Sequence, residues 1–217
     1  MSPGYLVKSV INRVAPSRFL LHRHTCQDNT LALTFDDGPH PQHTPLLIDI
    51  LETAGIKATF FVQGSEAKKY PRLIRDLAES GHQIANHGYH HLDCHRVSSR
   101  EYIADVESAQ SLLQDIAGES ITRTFRPPYG NVTTNTFLRL NQMGYKYAFW
   151  SADSRDSFIL NREELLHHIY TLPVRAGDIM LFHEDYRHSV DTIGDIIQYL
   201  QLKYFSFVSV DHYFEKR

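Results

Sequence analysis

Cysteine, long apolar runs and net charge are all scarce in this 217-residue chain. The two cysteines, Cys26 and Cys94, form no C-x-x-C pair and cannot build a disulfide framework for a chain of this size, which favours a reducing compartment. No stretch approaches the roughly 18 apolar residues of a membrane-spanning helix. A formal net charge of −3 provides no general polyanion-binding surface, so nucleic acid is not an expected partner.

What the chain does have, from residue 31 onward, is an alternation of apolar, β-prone runs with helical segments. The helical segments carry clear boundary signals, such as Pro71 at the start and Gly81 at the end of one of them. This repetition predicts parallel strands with right-handed crossovers, closed into a barrel or spread as a doubly wound sheet. With 42% hydrophobic residues and no linker or internal repeat, we expect a single α/β domain. The predicted strands are 31–35, 58–62, 83–86, 124–126, 146–150, 178–182 and 205–210.

The first 29 residues are predicted to form a basic, amphipathic arm ahead of this domain. Leu6, Val10 and Val14 fall on one helical face, with Lys8 and Arg13 opposite. The favoured interpretation is a helix packed against the domain, and the alternative is peripheral contact of residues 4–23 with an anionic membrane. Because basic residues interrupt the apolar positions, this segment does not resemble a signal peptide. We therefore expect a cytoplasmic location, with the inner face of the membrane as the alternative.

Two adjacent carboxylates, Asp36 and Asp37, end the first predicted strand in the sequence L-A-L-T-F-D-D-G-P. Neighbouring carboxylates repel, and both stay ionised at neutral pH only if a cation or strong hydrogen-bond donors lie nearby. Capping of the following turn is the alternative interpretation. A cation site is favoured, because one Asp would be sufficient as a cap.

Further polar side chains follow the carboxyl ends of the other predicted strands. In a parallel β/α barrel these ends converge on one face, where the active site lies. Residues far apart in the chain are therefore expected to share one pocket. They are Asp36, Asp37, His87, Arg126, Asp153 to Asp156 and His183.

His87 and His91 are spaced so that they can share a metal ion on one helical turn. Asp37 would complete a two-histidine, one-carboxylate set with open positions, which suits Zn²⁺ but also Fe²⁺, Mn²⁺ or Co²⁺. By itself the histidine spacing is a weak signal, since surface histidine pairs are common. His82, His90 and His95 are interpreted as surface residues.

Two other segments are candidates for catalytic roles. The sequence R-P-P-Y-G, residues 126–130, has a backbone restrained by its prolines, so it can orient an N–H group together with the Arg126 charge. A structural turn is the alternative. His183 ends a predicted strand, where a buried histidine can serve as general acid when a neighbouring carboxylate holds its ring and raises its pKa.

Taken together, the motifs T-F-D-D-G-P, H-G-Y-H-H, R-P-P-Y-G, W-S-A-D-S-R-D and L-F-H, in this order and spacing, resemble those of the NodB-homology polysaccharide deacetylases, carbohydrate esterase family 4. The resemblance places the NodB-homology domain at residues 30–213. It implies a distorted (β/α)7 barrel, similar to a TIM barrel, in one domain. It also implies metal-dependent hydrolysis of the N-acetyl group of an amino sugar in a polysaccharide, oligosaccharide or glycan precursor.

Each motif position carries a role that the resemblance implies. The acid–base machinery would comprise Asp36 as base, oriented by Arg126, and His183 as acid, oriented by Asp156. The metal ligands would be Asp37, His87 and His91. The substrate pocket would be lined by Leu181, Pro127 and Tyr129, with the Tyr129 backbone N–H facing the oxyanion. The expected metal is Zn²⁺, with Co²⁺, Mn²⁺, Fe²⁺ and Ni²⁺ as alternatives, and the expected partner is an amino-sugar glycan.

Two positions depart from the family pattern. Gly88 stands where Ser or Thr usually follows the first histidine, which affects a contact that supports the metal site. Ser157 replaces a Trp and removes a large wall of the acyl pocket.

Two other functions stay open: a deformylase or deacetylase of a lipid- or nucleotide-linked sugar, and a metal-containing carbohydrate-binding protein without catalysis.

Overall fold

The computed structural model describes residues 19–25, 28–118 and 121–216. The strands, in chain order, are β1 (Leu20–Leu21), β2 (Thr30–Asp36), β3 (Thr59–Val62), β4 (Gln83–Asn86), β5 (Thr124–Phe125), β6 (Lys146–Ala148), β7 (Ala152–Asp153), β8 (Ile179–His183) and β9 (Ser206–Phe207). The helices are α1 (His43–Thr53), α2 (Gly64–Lys69), α3 (Pro71–Glu79), α4 (Ser99–Ala117), α5 (Thr134–Gln142), α6 (Arg162–Thr171), α7 (Arg187–Val190), α8 (Ile193–Leu202) and α9 (Val210–Glu215), with a 3₁₀ turn at Pro128–Gly130.

The named strands form a parallel sheet in the order β1-β6-β5-β4-β3-β2-β8-β7, and β9 pairs with β2. The sheet curls back on itself: the segment after β1 meets the start of β8, where His24 N–H donates to the Gly177 carbonyl at 2.8 Å and Arg23 forms an antiparallel bridge with Asp178. This architecture confirms the expected α/β class and the distorted (β/α)7 barrel.

The central strand β2 is buried along its whole length, because helices cover the barrel outside and side chains fill it inside. Phe35 lies 5.1 Å from Phe60 and 6.1 Å from Phe182, measured between ring centroids, and the three rings tie β2 to both neighbouring strands. Asp36, the last residue of β2, is paired in register with His183 of β8. The packing of β2 therefore brings the first and last polar motifs side by side.

The helices form where apolar spacing and end signals agree. Pro71 begins α3, which buries Ile74 and Leu77. The Ser98 side chain caps α4 by accepting from the Glu101 N–H. These ends fix where each loop leaves the barrel and so where the motif residues lie.

Three short elements differ from the sequence-based expectation. The two-residue strand β7 was not predicted, and it pairs with β8. The predicted strand at 205–210 is limited to β9, because Ser209 caps a new helix that starts at Val210. Leu20 and Leu21, placed in the N-terminal arm by the sequence, are buried and pair with β6. Residues 4–18 of that arm, and Cys26, lie outside the described residues, so the predicted amphipathic helix and its membrane contact stay predictions.

The apolar side chains are concentrated in the barrel core. Within the ranges that the structure describes, no helix has both the length and the apolar character needed to cross a bilayer. Cys94 is buried with a free thiol.

Candidate active site

A cavity of about 430 Å³ opens at the carboxyl ends of the strands. Most of the residues singled out in the sequence line it: Asp36, Asp37, His87, His91, Pro127, Tyr129, Leu181 and His183. Arg126 and Asp156 lie behind this lining, both fully buried and in contact with Asp36 and His183 respectively. The barrel thus brings together all ten candidate residues, which the sequence spreads from 36 to 183.

Asp37, His87 and His91 meet around one point. Asp37 Oδ1 lies 3.3 Å from His91 Nε2 and 3.5 Å from His87 Nε2. The His87 Nδ1 atom lies 2.8 Å from the Arg126 carbonyl oxygen. Because a carbonyl only accepts, Nδ1 carries the proton, and the lone pair of Nε2 faces the cluster. Burial lowers the pKa of His87 to about 3, and its ring is neutral at physiological pH.

The backbone at two of these residues lies in the left-handed region, with φ of 71° at Asp37 and 55° at His91. Non-glycine residues adopt this conformation rarely, and it persists where the surrounding contacts over-determine it. The turns that follow β2 and β4 are therefore held in a specific shape that turns both side chains toward each other.

These three residues fit a divalent cation. Their ligand atoms all lie within 4.8 Å of one another. Asp37 Oδ1 is buried, yet it accepts no hydrogen bond from any residue that the structure describes. An unpaired buried carboxylate oxygen is costly, and a cation beside it would remove that cost. Two imidazoles and one carboxylate are the donor set of catalytic Zn²⁺ sites and of related transition-metal sites.

A second group with similar spacing, Asp93, Cys94 and His95, is a weaker candidate. Metal binding requires the thiolate, and burial raises the pKa of Cys94 to about 11. His95 is exposed, as the sequence interpretation had it. This group therefore fits a packed thiol beside a surface turn.

Asp36 is buried next to the cluster and is held by Arg126. The Arg126 Nη1 donates to Asp36 Oδ1 at 2.6 Å, while Asp36 Oδ2 lies 3.7 Å from His87 Nε2. Burial raises the pKa of Asp36, and the charge and hydrogen bond of Arg126 oppose that rise. One carboxylate oxygen is thus fixed by the guanidinium, and the other faces the metal-ligand cluster.

His183 stands on the other side of the cavity, with its ring oriented by Asp156. The two side chains join through His183 Nδ1 and Asp156 Oδ1 at 2.7 Å, and Ser189 donates to Asp156 Oδ2 at 2.7 Å. Burial disfavours the charged ring, but the hydrogen bond and the charge of Asp156 outweigh it and raise the pKa of His183 to about 9. His183 is consequently protonated at neutral pH, with its Nε2 side directed away from Asp156.

Sequence reasoning missed several residues of the site. Trp150, which lies within the fourth motif, lines the cavity, and so do Phe158 and Tyr186, which lie outside the motifs. Asp153, one of the polar residues expected at the strand ends, lines the cavity as well. Glu184 directly follows His183 and is buried, and its Oε1 accepts from the His40 N–H at 2.9 Å and from the Thr44 hydroxyl at 2.8 Å. Only adjacency to the motifs could have indicated these residues.

The structure corrects the surface interpretation of His82. His82 is only 6% exposed, and its ring packs edge-on against Phe60, because the chain turns inward at Gly81 before β4. Burial lowers its pKa to about 4, so the ring is neutral. The His90 side chain is mostly exposed, as expected, but its ring pairs with Asp105.

The fold and the site define a class: a barrel hydrolase whose paired carboxylates and imidazoles lie at the carboxyl ends of parallel strands. The polysaccharide deacetylase family model matches residues 23–148. This chain belongs to the polysaccharide deacetylase family.

Curated relatives and solved structures agree with this assignment. The chain is 36% identical, over 75% of its length and 77% of the other protein, to a chitooligosaccharide deacetylase of Azorhizobium caulinodans. It is 31% identical, over 85% of its length and 68% of the other, to a peptidoglycan-N-acetylglucosamine deacetylase of Bacillus cereus.

Two solved structures show the same architecture. The Bc1960 peptidoglycan N-acetylglucosamine deacetylase matches with a TM-score of 0.86 and 28% identity, over 92% of this chain and 94% of that one. Bacillus subtilis PdaA, a family 4 carbohydrate esterase, matches with a TM-score of 0.85 and 27% identity, over 100% of this chain and 92% of that one.

Proposed function

We propose that this protein is a metal-dependent deacetylase that hydrolyses the N-acetyl group of an amino sugar in an oligosaccharide or polysaccharide. The observation that carries the proposal is the meeting of three metal-ligand candidates, a buried carboxylate and an imidazole held by Asp156 in one cavity. The relatives named as deacetylases of chitooligosaccharide and of peptidoglycan N-acetylglucosamine support the choice of substrate class.

Asp37, His87 and His91 would hold the divalent cation, with Zn²⁺ as the expected ion. Bound there, the cation would polarise the acyl carbonyl and lower the pKa of a water molecule. Burial keeps the His87 ring neutral, as a ligand must be.

Asp36 is the proposed general base. Because Arg126 holds Oδ1, the second oxygen faces the cluster and can take the proton of the attacking water. Arg126 also donates to Thr34 Oγ1 at 2.8 Å and to the carbonyls of Ala148 and Phe149, so the guanidinium cannot swing away from Asp36. The base is therefore positioned before substrate binds.

His183 is the proposed general acid. Asp156 occupies Nδ1 and keeps the ring charged, so Nε2–H is available to protonate the departing sugar amine. Attack of the deprotonated water on the amide carbon, breakage of the C–N bond and this proton transfer yield acetate and a free amine.

The acyl group would lie against Leu181, which is buried at the cavity wall, with the Tyr129 backbone N–H directed at the developing oxyanion. Pro127 fixes the loop that presents Tyr129, whose φ of 58° is again left-handed. Ser157 lines this cavity beside Phe158, which is 78% exposed. The cavity wall at Ser157 is thus smaller than a Trp at this position would make it.

Acetate release from defined substrates tests the proposal. The zinc-loaded protein is incubated with N-acetylglucosamine oligosaccharides and with peptidoglycan, and acetate is measured with a coupled enzyme assay. We expect acetate from at least one substrate, its loss in His183→Gln, and its retention in His95→Gln, which removes an exposed histidine outside the cavity. Absence of acetate with every substrate, or equal rates in both variants, would contradict the proposal. Formate release from a formylated lipid-linked sugar would instead identify the deformylase.

A further inference from the structure

We propose that Asp105, on α4, is a positioning residue for the metal site: its carboxylate holds the loop that carries His87 and His91. The inference rests on the proposed function, since it concerns the same cluster. It also explains why Gly88, rather than a residue with a side chain, follows His87.

The Asp105 carboxylate is bound by the backbone of this loop. Its Oδ2 accepts from the Tyr89 N–H at 2.7 Å, and the His90 N–H lies 3.1 Å from Oδ1 and 3.2 Å from Oδ2. The His90 ring adds a contact from Nδ1 to Oδ1 at 2.7 Å. The Asp105 side chain is 5% exposed, so these loop groups are its immediate surroundings. Hydrogen bonds from N–H groups to a buried carboxylate are among the strong ones in proteins.

Gly88 leaves the room that this arrangement needs. Its φ is +80°, a conformation that glycine adopts without penalty. A Cβ atom at this position would lie 3.1 Å from Asp105 Oδ2, closer than ordinary van der Waals contact. The carboxylate therefore occupies the space beside residue 88 where a longer side chain would otherwise lie.

The loop has a second attachment to the same helix. Asn86 Oδ1 accepts from the Gly88 N–H at 2.7 Å, and Asn86 Nδ2 donates to the Val106 carbonyl at 2.9 Å. Together, Asn86 and Asp105 fix the backbone between the two histidines to consecutive residues of α4.

The consequence for the metal site follows from chain geometry. His91 comes directly after the anchored His90, and its left-handed φ of 55° depends on the contacts that hold the preceding residues. Without Asp105, the Tyr89 and His90 N–H groups lose their acceptor and the loop must rearrange to find others. His91 Nε2 then leaves its place 3.3 Å from Asp37 Oδ1. Removing groups that orient metal ligands typically weakens metal binding by about 10–100-fold.

The test compares Asp105→Ala with Glu107→Ala. Glu107 lies on the same helix, but its carboxylate contacts Arg123 at 2.7 Å and the Tyr145 hydroxyl, away from the loop. For each protein, the Kd for Zn²⁺ is measured by competition with a chromophoric chelator, the absorption spectrum is recorded with Co²⁺, and unfolding of the metal-free protein is followed in urea. The spectrum reports ligand geometry, which a general loss of stability does not change.

We expect Asp105→Ala to raise the Kd about 10–100-fold and to alter the Co²⁺ spectrum, while Glu107→Ala changes neither. Asp105→Asn retains one acceptor oxygen for the loop and should give an intermediate Kd, and it replaces Asp105→Ala in the comparison if the latter does not fold. An unchanged Kd and spectrum in Asp105→Ala, or in Asp105→Asn where that variant stands in, would overturn the inference and leave the proposed function intact. Failure of the parent protein to bind metal would overturn both.

Discussion

The guanidinium of Arg126 lies 2.6 Å from the carboxylate of Asp36, and the side chains of both residues are almost completely buried. Arg126 lies over the Phe61 ring, with 3.9 Å between Cζ and the ring centroid, and three further hydrogen bonds to one hydroxyl and two carbonyls give each of its nitrogens a partner. A buried charge pair is tolerated when every donor and acceptor is satisfied. Here that arrangement fixes the carboxyl group of Asp36 beside the metal-ligand cluster.

Arg126→Met should destabilise the protein by about 3–5 kcal/mol, because it leaves a buried carboxylate without its partner. Arg123→Met is the matched control: its ion pair with Glu107 is about one-third exposed, and it should lose no more than about 1 kcal/mol. Urea denaturation followed by circular dichroism gives both free energies of unfolding. Equal losses in the two variants would show that burial of the Asp36 pair has no special weight.

Asp36→Asn should retain metal binding and lose activity by roughly 10²–10⁴-fold, since the amide cannot accept the water proton. The shape of the site is kept, because Asn Oδ1 can still accept from Arg126. Metal content and the steady-state rate of acetate release are measured on the same sample. A metal-loaded variant with full activity would refute the assignment of Asp36 as base.

Asp156→Asn should move the alkaline limb of the pH–rate profile to lower pH. Asp156 is the contact that raises the pKa of His183 to about 9, so the parent enzyme should lose activity as pH rises toward that value and the acid loses its proton. The amide removes the charge and, with it, most of the upward shift. A profile of kcat/KM between pH 5 and 11 tests this, and an unmoved alkaline limb would show that another group controls it.

Glu184→Gln should flatten the pH dependence of stability. Burial raises the pKa of Glu184 from 4.5 to about 8, so between these values the folded protein binds more protons than the unfolded chain. The free energy of unfolding of the parent therefore falls as pH rises through this window, and the contribution of the neutral acid is lost above about 8. The variant lacks this dependence and should gain stability relative to the parent as pH rises. Urea titrations at pH 5, 7 and 9 measure the free energy of unfolding of both proteins. Parallel pH dependences in parent and variant would contradict the raised pKa of Glu184.

The main features of the fold were predictable from sequence because strand and helix signals agreed along the chain. Apolar runs gave β2, β3 and β4 to within about a residue at each end, and Pro71 marked the start of α3. The convergence of Asp36, Asp37, His87 and His183 followed from their common position after strands of a parallel barrel. The grouping thus depended on topology more than on any single motif.

Other features depend on tertiary contacts that leave no local pattern. β1 is two residues long and exists because β6 offers a free edge, while His82 is buried because of the turn before β4. Asp105 and Glu184 carry no sequence signal, since a lone acid on a helix or after a motif is usually solvated. Their importance comes from backbone N–H groups of distant loops, which sequence spacing does not reveal.

The central claim is that Asp37, His87 and His91 hold one divalent ion in the active-site cavity. A crystal structure of the zinc-loaded protein, with anomalous diffraction collected on both sides of the zinc absorption edge, tests it most directly. We predict one anomalous peak about 2.0–2.2 Å from a carboxylate oxygen of Asp37 and from Nε2 of both histidines. No peak at that position, or a peak bound elsewhere with Asp37 turned away from the histidines, would contradict the account.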